Sequence, residues 1–278
     1  MPATAYSAPL AFTADGSNLL SLDIATGIST TIGALGITGD TEALAVDPTS
    51  GVLYLATDGG SLYTVDKASG SATLVGSLGV SYFNGGMAID GSGNIFLVTD
   101  AGLFSVNKTT GAATQIGSPN DASSYNNNDV SQGLSSAAFV GNTLYAGPDR
   151  TTQHNLYSVN TATGHATTIG ALGVNSSGAQ TGMTYDANTD ILYILIESKS
   201  RIYSVDYATG QATEISSYGG NFEGLALADP GNPAPMLINA VEPYVPPIPT
   251  TTISNFMLFL LGLAVALLAL VSPATKKK

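Results

Sequence analysis

Short apolar runs with a period of two fill the first 229 residues. Leu62-Tyr-Thr-Val-Asp66 is followed by a turn at Ser69-Gly70, and Ala72-Thr-Leu-Val-Gly76 then resumes the alternation. Such alternation predicts strands with one face more buried than the other, and a helix would need a period of 3.6. The same pair of segments returns at Leu156-Tyr-Ser-Val-Asn160 with Ala166-Thr-Thr-Ile-Gly170, and at Ile202-Tyr-Ser-Val-Asp206 with Ala212-Thr-Glu-Ile215. Weaker copies are Leu20-Ser-Leu-Asp23 with Thr26-Gly27, and Leu103-Phe-Ser-Val-Asn107 with Thr110-Gly111. Two more apolar segments precede each copy. In the second copy these are Ala43-Leu-Ala-Val46 and Val52-Leu-Tyr-Leu55, parted by the turn formers Asp47-Pro-Thr-Ser-Gly51. Each unit therefore holds four short strands joined by tight turns.

The turn glycines Gly27, Gly70, Gly111, Gly164 and Gly210 lie 43, 41, 53 and 46 residues apart. Five four-stranded units at this spacing predict an all-β, five-bladed β-propeller over residues 1–229. The first strand of each unit alternates small and large residues: Ala43-Leu44-Ala45-Val46, Gly86-Met87-Ala88-Ile89, Gly133-Leu134-Ser135, Gly182-Met183-Thr184-Tyr185 and Gly224-Leu225-Ala226-Leu227. First strands converge on the axis, so one small face is expected where five blades crowd together, with the large face packed between blades. The chain starts inside a blade, at Pro9-Leu-Ala-Phe-Thr13, and the missing strand returns at Glu223–Ala228. The last strand should therefore pair with the first three and close the ring, leaving no open sheet edge.

Past Asp229 the composition changes. Seven prolines between Pro230 and Pro249 mark an extended linker over residues 230–252. Residues 253–271 then form a 19-residue stretch free of charge, close to the roughly 20 residues needed to span a bilayer. A transmembrane helix is expected over 253–272, with a basic tail at 273–278. Lys276, Lys277 and Lys278 place that tail in the cytoplasm and the propeller outside, by the excess of positive charge on cytoplasmic ends. Residues 1–16 carry neither a basic start nor an apolar run. An export signal would therefore have been trimmed from the sequence, or the tail would insert after translation.

Pro247-Ile248-Pro249-Thr250, followed by the apolar stretch and the lysines, resembles the IPTL-CTERM sorting tails of Gram-negative bacteria, with Thr251 where Leu is usual. The resemblance covers residues 247–278. It implies recognition, and cutting, by an exosortase-type membrane enzyme during delivery to the cell surface. The body is similar to bacterial repeat propellers of no assigned activity that accompany such tails.

All 20 acidic residues lie at or before Glu242, with only five basic residues among them, which gives the body, counted to Glu242, a charge of −15. Such a surface repels nucleic acid and anionic lipid. The absence of cysteine excludes disulfides, thiolate metal sites and cysteine nucleophiles.

The loops entering the first strands share one face with those joining second to third strands. On it the topology places Glu42, Gly85, Gln132, Thr181 and Glu223, one per blade, at the mouth of the axis. Glu42 and Glu223 fall on blades that adjoin after closure. Two carboxylates there, with Gln132 and backbone carbonyls, could supply the oxygen ligands of Ca2+; solvated or amide-bonded carboxylates are the plainer reading. The same face receives two long polar loops, Ser118–Asp129 with Asn120, Tyr125, Asn126 and Asn127, and Pro148–His154 with Arg150 and His154. Amide and aromatic side chains on long loops suit a glycan or protein ligand. Asp47, Asp90 and Asp186 end first strands on the opposite face and read as turn residues. His154 and His165 are the only histidines, and the topology separates them. These features predict an exported, envelope-anchored propeller acting as a non-catalytic binding or structural module. The alternative is a cation-dependent hydrolase or lyase with its site at the axis mouth.

Overall fold

The computed structural model of the protein describes residues 9–80, 85–99, 101–117, 133–148, 153–175 and 180–229. The chain divides into two compact units, Met1–Met236 and Leu237–Lys278. The linker, the apolar stretch and the basic tail lie outside the described residues. Among the described residues, no helix is long and apolar enough to cross a membrane.

The described residues build five four-stranded antiparallel sheets. In chain order the strands are β1 (Leu10–Ala14), β2 (Asn18–Asp23) and β3 (Ser29–Ala34), then β4 (Thr41–Val46), β5 (Leu53–Thr57), β6 (Ser61–Val65) and β7 (Ala72–Ser77). Next come β8 (Gly86–Ile89), β9 (Ile95–Thr99), β10 (Gly102–Val106) and β11 (Ala113–Gly117), followed by β12 (Leu134–Val140), β13 (Thr143–Pro148), β14 (Gln153–Val159) and β15 (Ala166–Asn175). The last are β16 (Gln180–Asp186), β17 (Ile191–Ile196), β18 (Arg201–Val205), β19 (Ala212–Ser217) and β20 (Glu223–Leu227). The protein is an all-β, five-bladed propeller. β20 joins β1, β2 and β3 in one sheet, with Ala11 opposite Leu227 and Phe12 opposite Ala226. The ring is thus closed by both ends of the propeller, as the truncated first repeat requires.

The apolar core is distributed over the five seams between blades. One cluster joins Leu44, Val46 and Leu55 of the second blade to Phe12 and Leu19 of the first. Another joins Tyr54 and Leu62 to Met87 and Leu97 of the third blade. Equivalent clusters fill the other three seams. Each buried leucine or isoleucine contributes about 1.5–3 kcal/mol relative to exposure, so a blade is stable only beside its neighbours. The outermost strands face solvent: β7 exposes Thr73 and Leu74, and β19 exposes Thr213, Glu214 and Ile215.

The small face of the innermost strands is explained by contact between strands. A Cβ on Gly86 would stand 2.6 Å from the backbone of Ser136, and one on Gly182 would stand 2.8 Å from that of Gly224. Both faces of each inner strand therefore pack between blades, with the small face against the backbone of the next inner strand and the large face toward the preceding blade. A second set of glycines does the same at the rim. Gly70, Gly111, Gly164 and Gly210, at the turns between third and fourth strands, lie against Gly33, Gly76, Gly117 and Gly170 of the preceding blade's outer strand. The recurring Thr-Gly or Ser-Gly turn and the glycine closing each outer strand are two halves of one seam contact.

Candidate functional site at the upper mouth of the axis

Inner strands run from the upper face, where they enter, to the lower face, where the tight turns to the second strands lie. Four of the five share one irregularity at their upper ends. β4 slips register against β5 between Thr41 and Ala43, β12 against β13 between Leu134 and Ser136, and β16 against β17 between Gln180 and Gly182. β20 slips against β1 between Phe12 and Ala14. Each slip is a β-bulge, a device that re-aims a side chain at the rim of a sheet. The residues at these steps are Glu42, Ser135 and Thr181, with Gly224 at a φ of 69° beside Glu223.

Between these ends lies a small cavity of about 10 Å³, lined by Glu42, Ser135, Ser136 and the glycines Gly86, Gly182 and Gly224. All five inner strands contribute to it. That volume matches about one water molecule, so the polar atoms here address a single small group and not a bulky substrate. The Thr13 hydroxyl donates to the Gly224 carbonyl at 2.8 Å and pins the bulged start of β20. Thr41, fully buried at the step before Glu42, has a hydroxyl with no hydrogen-bond partner among the described residues. A second cavity, of about 60 Å³, lies toward the lower ends of the inner strands, where Val46, Ile89, Phe139, Tyr185 and Leu227 line it.

The two predicted carboxylates occupy neighbouring inner strands, since Gly224 abuts Leu44. Glu42 lines the mouth, and neither Glu42 nor Glu223 is without an interaction partner. Among the described residues no group of three or more His, Asp or Glu side chains could hold a metal ion. Ca2+ takes six to eight oxygens, so Glu42 and Glu223 would need backbone carbonyls to complete a shell. Gln132, Asn120, Tyr125, Asn126, Asn127 and Arg150 lie outside the described residues, as do Pro247, Ile248, Pro249 and Thr250. His154 is the second residue of β14, and His165 is in the turn after the far end of that strand. The structure therefore separates the histidines, as the topology requires.

In the fourth blade, register puts Ser135 at the position of Glu42, which the sequence comparison had aligned with Gln132. Phe139 pairs with Leu144 just as Val46 pairs with Leu53, so Ala137 matches Leu44 and Ser136 matches Ala43. Counting forward from Gly133 misses this. Counting back from the Gly141-Asn142 turn finds it, because second strands repeat a leucine or isoleucine before an aromatic residue.

On the lower face the aspartates cap turns. Asp90 accepts from the backbone amides of Ser92 and Asn94 at 2.9 and 2.8 Å, and Asp186 from that of Asn188 at 2.9 Å. Asp47 does more. It accepts from the Thr49 amide and hydroxyl, and the Lys108 ammonium of the next blade donates to it at 2.9 Å. Burial works to raise its pKa, but the Lys108 and Thr49 hydrogen bonds outweigh burial and hold it at about 2.

No protein-family model matches the chain, and no curated protein does. Solved structures do. One, from a nidogen/laminin complex, aligns with a TM-score of 0.56 at 12% identity over 80% of this chain and 99% of that one. Another, a structural genomics protein of unknown function from Bacteroides thetaiotaomicron VPI-5482, aligns with a TM-score of 0.52 at 16% identity over 81% of this chain. The alignment spans 65% of that second protein's length. At these identities the likeness is one of fold.

Proposed function

We propose that the protein is an exported propeller, held in the cell envelope by its C-terminal segment, that binds a ligand at the upper mouth without transforming it. The observation that carries the reading is the set of β-bulges at the upper ends of β4, β12, β16 and β20. A ring needs no such irregularity to close. Here the irregularities gather polar side chains, Glu42 and Ser135 among them, around one small opening. The polar segments 118–129 and 148–154, expected from the sequence on this face, carry Asn, Tyr, Arg and His residues that suit a glycan or a protein surface. The apolar stretch and three lysines support attachment with the propeller outside, and Pro247–Thr250 supports processing by an exosortase-type enzyme.

The second reading is a cation-dependent hydrolase or lyase using Glu42 and Glu223. Envelope polysaccharide incubated with the full-length protein separates the two. Co-sedimentation that weakens in Glu42→Gln/Glu223→Gln, with no released product, supports the binding module. Calcium-dependent product release that the double variant loses supports the enzyme.

A further inference from the structure

Five blades built on one plan let each position be compared with its four counterparts. On the lower face the fifth blade departs from the plan three times, and the departures meet. Tyr185 takes the inner-strand position that is Val46, Ile89, Phe139 or Leu227 elsewhere. Tyr207 takes the turn position that is Lys108 in the third blade. Asp190 takes the position of Gly51, and it keeps the left-handed backbone: its φ is 59° against 72° for the glycine. Aspartate tolerates such a φ better than most side chains do, and here its carboxylate is engaged. Both phenol hydroxyls donate to one oxygen of Asp190, Tyr185 at 2.7 Å and Tyr207 at 2.8 Å.

A third ring completes the group. Tyr145, from the second strand of the fourth blade, stands 5.8 Å from the Tyr207 centroid at 59°, and Tyr185 stands 6.3 Å from it at 85°. The rings pack against one another at steep angles. All three are half-buried and Asp190 is exposed, so the group opens to solvent. The equivalent seam between the second and third blades instead carries Tyr54 with the Lys108–Asp47 ion pair. There the protein supplies its own cation; between the fourth and fifth blades it supplies aromatic faces and a carboxylate.

We infer that Tyr145, Tyr185, Tyr207 and Asp190 form a binding site for a quaternary ammonium group. The class of cation follows from the hydrogen bonding. The Tyr185 and Tyr207 hydroxyls are already spent on Asp190, leaving ring faces and one negative charge. A primary ammonium brings three protons that need acceptors. A quaternary ammonium brings none and is attracted to ring faces and to a nearby carboxylate. Burial and the bond to Asp190 raise both phenols, Tyr207 to about 12 and Tyr185 further. Both therefore stay neutral at physiological pH and keep donating. The body charge of −15 favours arrival of a cation.

The test is calorimetric titration of the full-length protein with choline and with its uncharged isostere 3,3-dimethylbutan-1-ol, at matched ionic strength. Choline should bind at least about tenfold more tightly than the isostere. Asp190→Asn, which keeps an acceptor for the phenols, should weaken choline about fivefold to tenfold. Tyr207→Leu should abolish binding, while Tyr207→Phe, which keeps the ring, should retain most of it. Absence of choline binding, equal binding of the isostere, or unchanged affinity in Asp190→Asn would each overturn the assignment.

Discussion

The Ser216 hydroxyl donates to the Ile24 carbonyl at 2.6 Å, across the seam where the last blade meets the first. At the four other seams the residue matching Ser216 is a glycine, Gly33, Gly76, Gly117 or Gly170, pressed against the turn of the next blade. The closing seam thus keeps the close backbone contact, with Gly27 against the Ser217 carbonyl, and adds a hydrogen bond. Ser216→Ala should destabilise the propeller by about 1 kcal/mol, the usual contribution of one such bond. Denaturant unfolding of the variant beside the parent protein measures it; no change would show that the bond is immaterial to closure.

The glycine pairs make a sharper prediction. Gly70 has a φ of 80°, and a Cβ there would stand 2.5 Å from the Gly33 carbonyl oxygen. Gly51 has a φ of 72° with nothing within 4 Å of its would-be Cβ. Gly51→Ala should therefore cost about 1 kcal/mol from the backbone alone. Gly70→Ala adds a steric clash with a rigid backbone and should cost at least about 3 kcal/mol in all. Equal losses in thermal melts of the two variants would refute the seam contact.

Asp47 links stability to pH. Its folded pKa of about 2 lies below its unfolded value near 3.9. Its contribution is thus complete above about pH 5 and disappears as pH falls through about 2, amounting to about 2–3 kcal/mol. Asp47→Asn should flatten the stability profile across that window. Lys108→Met, which strands the buried carboxylate, should cost about 3 kcal/mol at neutral pH. An acid limb unchanged in Asp47→Asn would contradict the assignment.

Closure by β20 predicts where the chain can be cut. Ending it at Asp229 should leave a cooperatively folding propeller. Ending it at Asn221 removes the partner of β1 and one wall of two seams, and should leave no cooperative transition in denaturant. A cooperative transition in the shorter chain would show that the ring does not depend on β20.

The fold was legible because most blades repeat the same local chemistry: leucine or isoleucine beside an aromatic in second strands, Tyr-Ser-Val or its like in third strands, and glycine on both sides of four seams. Closure could be read from the strand missing at Pro9 and present at Glu223. The site was less legible. Glu42 and Glu223 were placed on adjoining inner strands because position within a repeat fixes position around a ring. Ser135 was missed because Gly133-Leu134-Ser135 imitates the small-large alternation of the other inner strands three residues before the true match, Ser136 with Ala43. The Asp190–Tyr207 contact was invisible because it joins turns 17 residues apart, and nothing in local spacing links them. The Lys108–Asp47 pair, 61 residues apart across a seam, escaped for the same reason.

The envelope reading is tested most directly by adding protease to intact spheroplasts of the native host and following both ends of the chain. The proline-rich linker after Pro230 is the expected cutting site. The account predicts release of an intact propeller into the medium, with the lysine-bearing end retained in the membrane. A full-length chain that stays uncut until the cells are lysed would place the propeller inside the cell and contradict the account.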